Sequence, residues 1–158
     1  MKKFLVLFLF LFVSVSYALD YTTQEELKKI EEETQKCIDK NYMTDYAMMQ
    51  CSIEGTKKYK VEIDRTIKGT KKYLSKTQYE QYLKTQEKWE EFMGEYDKLL
   101  KQTYEKHCPP YLACLSAVDD RYEYTKHRAE DLSGFIGVLQ LFKKEGVLDD
   151  ELNFVQFE

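Results

Sequence analysis

Residues 75–104, SKTQYEQYLKTQEKWEEFMGEYDKLLKQTY, constrain this chain most. Leu83, Gln86, Trp89, Met93, Tyr96, Leu100 and Tyr104 recur in it at steps of three and four. That spacing puts them on one face of an α-helix and marks a buried stripe. The single tryptophan, Trp89, sits near its middle. The stretch before it keeps the same period. Met48, Ser52, Gly55, Tyr59, Ile63, Ile67, Thr70 and Leu74 predict a second long helix over 45–74. A short connection makes the two antiparallel. Two helices of about 30 residues form a hairpin roughly 45 Å long. Such a rod does not bury a sizeable core alone, so it needs cover from both ends of the chain.

The cover is present. Thr23-Gln24-Glu25-Glu26 reads as a capping box, with Thr23 as N-cap and Glu26 at the third helical position. A first helix follows to about Lys40, with Leu27, Ile30, Thr34, Cys37 and Ile38 on one side and lysines and glutamates on the other. That charge run reads as a solvated face. Asn41-Tyr42-Met43 is a turn, and Thr44 is the next N-cap. Ser75-Lys76-Thr77-Gln78 is a second capping box. Pro109-Pro110 stops the central helix. A fourth helix starts near Tyr111 and extends towards Lys144. Its stripe is Leu112, Leu115, Val118, Tyr122, Thr125, Ala129, Leu132, Ile136 and Leu139, with a break allowed at Ser133-Gly134. Gly146 reads as a C-cap. Residues 147–158 read as a short helix or a loosely docked tail. Gly55 and Gly69 each cost about 1 kcal/mol against Ala in a helix interior. Gly55 lies on the stripe, so it reads as a point of close helix approach. With only 6 Gly and 2 Pro in 158 residues, punctuation is too thin for an all-β fold. The fold class is all-α: an elongated, disulfide-clipped bundle of about four helices around a long central antiparallel hairpin, in one domain over 19–158.

The N-terminus is a separate object. Lys2 and Lys3 precede an apolar run over 4–15, and Ser16-Tyr17-Ala18 follows with small residues first and third. That is the pattern of a secretory signal peptide over 1–18, with cleavage expected after Ala18. An uncleaved anchor is the rival reading, but the run falls short of the ~20 residues of a membrane span. No later stretch is apolar enough to span, and no cysteine at the cleavage site suggests a lipoprotein. The expected location is the periplasm or outside the cell. Removing 1–18 takes two of the 24 basic residues and none of the 28 acidic ones, which leaves a net charge of −6. Such a balance argues against nucleic acid, whose binders carry basic patches, and suits a basic partner.

All four cysteines fall in the exported part. An even count in an oxidising compartment reads as two disulfides, with three pairings open. Placement gives a preference. Cys37 and Cys51 lie symmetrically about the turn at Thr44, and Cys108 and Cys114 about Tyr111, so each pair faces itself across a turn. A clip of about 15 residues contributes roughly 3 kcal/mol in the chain-entropy model. Zinc is the rival. His107 precedes Cys108, but no close cysteine pair has metal-ligand spacing.

Three local patterns occur in a telling order: Thr44-x-x-x-Met48-x-x-Cys51, Gln86-x-x-Trp89, and Thr125-x-x-Arg128-x-x-x-Leu132. With the leader and the cysteines they resemble the LprI-like lysozyme-inhibitor N-terminal domain, a family of small exported bacterial helical proteins long catalogued as a domain of unknown function. The resemblance covers about 37–132 and leaves 133–158 as an extension. The chain departs from the family after the tryptophan. Phe92, Met93 and Gly94 stand where an Arg-Asp pair and a cysteine are common, and the third cysteine lies at Cys108. The family name comes from a member implicated in inhibiting lysozyme, so the resemblance implies a lysozyme-inhibitor-like role and a basic lysozyme as partner.

Each marked residue has a structural reading beside its functional one. Trp89 is an interface anchor or, preferred on its stripe, core. Gln86 contacts a partner or bonds a neighbouring helix. Arg128, with Thr125 one turn before it, enters an anionic site or, preferred, pairs with an acid or stacks on a ring. The tyrosines, spread over all four helices, read as core and helix-interface packing. Glu123 and Glu130 flank His127 at helical spacing, yet a di-iron bundle needs two Glu-x-x-His motifs and there is none. No haem-attachment motif, phosphate loop or nucleophile elbow occurs. Adjacent Glu90 and Glu91 point to different faces and make no carboxylate pair. The sequence therefore favours a non-enzymatic binding protein of the cell envelope, without cofactor or metal. A structural or adaptor protein that binds no lysozyme is the alternative. A metal-dependent enzyme using His107 or His127 ranks third.

Overall fold

Each helix start is set by a local side-chain device. In the computed structural model, which describes residues 22–42, 44–107 and 110–147, the helices are α1 (Gln24–Lys40), α2 (Asp45–Thr70), α3 (Lys76–His107) and α4 (Pro110–Lys144). The leader expected over 1–18, the expected Cys108–Cys114 pairing and the segment 148–158 lie outside the described residues. Thr23 caps α1 reciprocally. Its hydroxyl accepts from Glu26 N–H at 3.2 Å, and its own N–H donates to the Glu26 carboxylate at 2.8 Å. Ser75 and Gln78 repeat the device on α3, at 2.9 and 3.4 Å. Thr44 caps α2 by accepting from Ala47 N–H at 3.3 Å. Pro110 takes the first position of α4, where a missing N–H costs nothing.

Two boundaries differ from expectation. α2 stops at Thr70, and Lys71–Tyr73 tightens into a 3₁₀ turn before an extended Leu74 (φ −124°, ψ 143°). The Ser75 cap requires a non-helical lead-in, so the last turn of α2 gives way to it. The break allowed at Ser133-Gly134 does not occur, and α4 runs on to Lys144. Ser133 is buried there and donates its hydroxyl to Thr22 O at 2.8 Å, while Ile136 and Leu139 continue the buried stripe. Gly146 then ends the chain's course along α4 in a left-handed conformation (φ 70°). Val147 N–H reaches Phe142 O at 2.8 Å and Gly146 N–H reaches Lys143 O at 3.3 Å, the paired bonds of a Schellman motif.

The bundle is all-α among the described residues, and consecutive helices run antiparallel. The Cys37–Cys51 disulfide joins α1 to α2 across their turn, with Cα atoms 5.7 Å apart. Farther along, Lys58 of α2 pairs with Glu33 of α1, and Arg65 with Glu26. Between α3 and α4, Tyr96 meets Asp120 and Tyr82 meets Phe135. The most extensive pairing, however, is between α2 and α4, which run parallel. Small buried residues fill their faces: Ser52, Gly55, Thr56, Thr66 and Thr70 on α2, and Thr125, Ala129 and Ser133 on α4. Short side chains at a contact let helix axes approach closely. The stripe of α3 does face inward, with Gln86, Met93 and Leu100 buried and Leu83, Trp89 and Tyr96 half-buried. It closes over α4 rather than forming the centre.

Gly55 sits where three helices meet. A Cβ there would lie 2.6 Å from Thr34 Oγ1 of α1 and 2.7 Å from Tyr122 Cε2 of α4. The Tyr122 ring packs against fully buried Tyr59, with centroids 5.7 Å apart, and the Tyr59 hydroxyl donates to Leu27 O at 3.3 Å. Burial, and then the neighbouring Tyr122, push the Tyr59 phenol far above its ordinary range. Leu27, Ile30, Ile63, Ile67, Ala129 and Leu132 complete this core.

A polar clasp locks the start of α1 to the pair. Thr22 is fully buried; its N–H donates to Thr66 Oγ1 at 3.2 Å and its hydroxyl to the Glu62 carboxylate at 2.6 Å. Arg65 bridges Glu62 at 2.6 Å and Glu26 at 2.8 Å. Burial opposes ionisation of Glu26, but bonds from Arg65 and Thr23 outweigh it and hold its carboxyl below the usual value. Lys126 of α4, largely buried, pairs with Glu31 of α1.

Gly55→Ala gains about 1 kcal/mol of helix propensity and forfeits about 1–3 kcal/mol to overpacking. Both clashing groups are held by packing, so a net loss of up to about 2 kcal/mol is expected. Gly94→Ala, where a Cβ meets nothing within 4 Å, should raise stability by about 1 kcal/mol. Thermal or urea unfolding of the two variants checks both signs.

Candidate functional site

The seam between α3 and α4 gathers the sequence-marked residues. Gln86 and Trp89 stand one turn apart on α3, and Thr125 and Arg128 occupy the facing stretch of α4. Gln86 is buried, and its amide is oriented from both ends. Its oxygen accepts from Arg128 Nε at 3.1 Å, and its nitrogen donates to the Glu90 carboxylate at 3.0 Å. The Arg128 guanidinium carbon lies 6.0 Å from the Trp89 ring centre, within cation–π range. Thr125 is fully buried and returns its hydroxyl to Arg121 O at 2.7 Å. Arg128 therefore stacks on a ring and bonds an amide; among the described residues it makes no ion pair with a carboxylate.

The remaining marked residues lie elsewhere. Thr44 is a helix cap, half-buried Met48 follows it near the disulfide, and Leu132 is in the core. These three do not join the seam. Cys37 and Cys51 form their disulfide at the far end of α1.

On the α2 side of the seam is an open cleft of about 380 Å³. Ile63, Trp89 and Met93 give it apolar walls, and Lys60, Asp64 and Glu90 stand at its rim. Asp97 lines it too, held by the Arg121 guanidinium through a fork whose Nε bond is 3.1 Å.

On the other side is a cluster that sequence reasoning missed. Phe92 and Tyr96 stack at 5.8 Å, and Tyr124 packs edge-on against both, at 6.0 and 5.1 Å. Phe92 is 49% exposed, and Leu99 beside it on the same face of α3 is 57% exposed. The Tyr96 hydroxyl points at Asp120, 3.4 Å away; partial burial and then that carboxylate push its phenol up to about 12. Asp120 and Asp131, four residues before and seven after Tyr124, fall on its helix face. Neither has an ion-pair partner among the described residues. Reading the tyrosines as packing fits Tyr59, Tyr122 and Tyr82, but Tyr42 and Tyr46 are exposed and Tyr124 is a surface ring. The signal was present as Phe92 and Leu99, seven residues apart on one helix face beside Tyr96 of the buried stripe.

His127 is exposed, with Glu130 at 3.3 Å and Glu123 at 3.9 Å. Among the described residues no three metal-ligating side chains converge. No described helix is long and apolar enough to cross a membrane. No protein-family model, curated protein or solved structure matches the chain significantly.

Arg128→Met would leave the buried Gln86 oxygen without its donor and the Trp89 face without its cation. The expected cost is about 1–2 kcal/mol, with a changed Trp89 emission spectrum. Arg128→Lys should not restore the spectrum, because a point ammonium lacks the planar fork. Urea unfolding followed by tryptophan emission reads both effects.

Proposed function

We propose that this chain is an exported, non-enzymatic binding protein of the cell envelope whose α3–α4 face docks a basic protein, in a lysozyme-inhibitor-like role. The observation that carries the proposal is the cluster of Phe92, Tyr96 and Tyr124, with Phe92 and Tyr124 exposed, beside Asp120 and Asp131, which have no ion-pair partner among the described residues. Aromatic residues at the centre of an interface supply most of its energy. Flanking carboxylates set sign and speed: Asp120 and Asp131 attract a cationic surface and raise the rate of encounter. The net charge of −6 beyond the leader adds to that field. The leader pattern supports export, and the resemblance of the three motifs to the LprI-like family supports the choice of lysozyme. Gln86, Trp89 and Arg128 then act behind the surface by fixing α3 against α4, so that the rings are held before the partner arrives.

Titration of the oxidised protein into a chicken-type lysozyme assay, at low and at physiological salt, tests this reading. Stoichiometric inhibition is expected, weaker at the higher salt. It should be lost in Phe92→Ser and reduced in Asp120→Asn with Asp131→Asn, while the helical circular dichroism signal stays unchanged. Absence of both inhibition and binding at micromolar protein would remove lysozyme and leave the structural or adaptor reading, to be pursued by crosslinking in the envelope.

A further inference from the structure

The far end of α4 carries an apolar surface that the described residues leave open. Phe135, Val138 and Leu141 are 40, 46 and 53% exposed, and they follow one another at steps of three. They span about 9 Å of helix. The Phe135 ring stacks on Tyr82 of α3 at 5.4 Å. An isolated exposed apolar side chain needs no explanation, but a contiguous row does.

The same end is basic. Lys143 and Lys144 close α4. Lys71 and Lys72 lie in the 3₁₀ turn that packs beside it, where Gln140 donates to the Tyr73 hydroxyl at 3.1 Å. The chain beyond α4 has the complementary character. Residues 148–158, LDDELNFVQFE, hold Asp149, Asp150, Glu151 and Glu158 with no basic residue, and Leu148, Leu152, Phe154, Val155 and Phe157 as apolar groups. The Schellman turn at Gly146 (φ 70°) takes the chain off the helix axis directly beside Leu141. Even a few extended residues, at about 3.3 Å each, cover the distance back to Phe135.

We infer that residues 148–158 of the same chain dock on the Phe135–Val138–Leu141 row. Their leucine and phenylalanine side chains cover the row, and their acidic residues lie over Lys71, Lys143 and Lys144. The occupant is local, because closing so short a loop costs little entropy. This surface is separate from the aromatic cluster, so the inference stands whether or not lysozyme is bound.

Benzophenone photocrosslinking tests it in the full chain, with p-benzoylphenylalanine in place of the exposed Val138. Illumination should give a monomer whose digest joins the 138 peptide to a peptide from 148–158. Leu152→Asp with Phe154→Asp should reduce that product about tenfold or more, since two apolar anchors are lost. High salt should reduce it less, because only the lysine contacts are screened. A crosslinked dimer would overturn the inference in favour of a second copy as occupant. Capture of any other region, or a product indifferent to the double substitution, would also overturn it.

Discussion

Everything in this bundle depends on how closely α2 and α4 approach. The contact is made at Gly55, whose missing side chain leaves room for Tyr122 from one side and Thr34 from the other. Helices that are diagonal in sequence order thereby become the innermost pair, and the remaining two are placed by what that pair leaves exposed. α1 fills the groove where Leu27 and Ile30 reach Tyr59 and Ile63, and the disulfide holds its far end. The polar residues buried along the pair do not weaken it, because each finds a near partner. Thr56 and Thr70 return their hydroxyls to the carbonyls one turn back, at 2.8 and 2.7 Å. Unpaired, such groups would each cost about 1–3 kcal/mol.

With the centre occupied, α3 is left to lean on α4, and this decides where chemistry can occur. Its inward stripe is buried only in part. One flank opens the cleft at Trp89 and Met93, and the other raises Phe92 and Leu99 into solvent beside half-buried Tyr96 and next to Tyr124. The Gln86–Arg128–Trp89 arrangement fixes register between the two helices, so the outer rings sit on a rigid base. The proposed docking role draws on those exposed shoulders rather than on the cleft. The cleft is open and mixed in charge, with Lys60 and Arg121 facing Asp64, Glu90 and Asp97.

Local features were legible in the sequence because local physics determines them. Thr23, Thr44 and Ser75 cap helices wherever the rest of the chain lies, and Gly146 can only end one. Cys37 and Cys51 meet because the turn between them is short. Gly55 could be read as a close approach because glycine on a buried stripe has few other uses. What periodicity cannot say is which stripe meets which. A buried face is buried equally well against any partner, so the α3 stripe looked central when the centre is α2 with α4. Thr22 was invisible for a related reason. Its four bonding partners lie 40 or more residues away, and nothing in its neighbours announces them. The Phe92–Tyr96–Tyr124 cluster joins two helices, so each ring looked ordinary alone.

Native-state hydrogen exchange, resolved residue by residue, tests the central claim most directly. Core elements exchange only through global unfolding, whereas peripheral ones open locally at lower free energy. If α2 and α4 form the innermost pair, amides around Tyr59–Thr66 and Thr125–Ser133 should exchange slowest, at the free energy of global unfolding. Amides of α3 around Trp89–Tyr96 should exchange faster, through a partial opening that leaves the pair intact. Protection of α3 equal to that of α2, with α4 exchanging first, would contradict the account and return the centre to the α2–α3 hairpin.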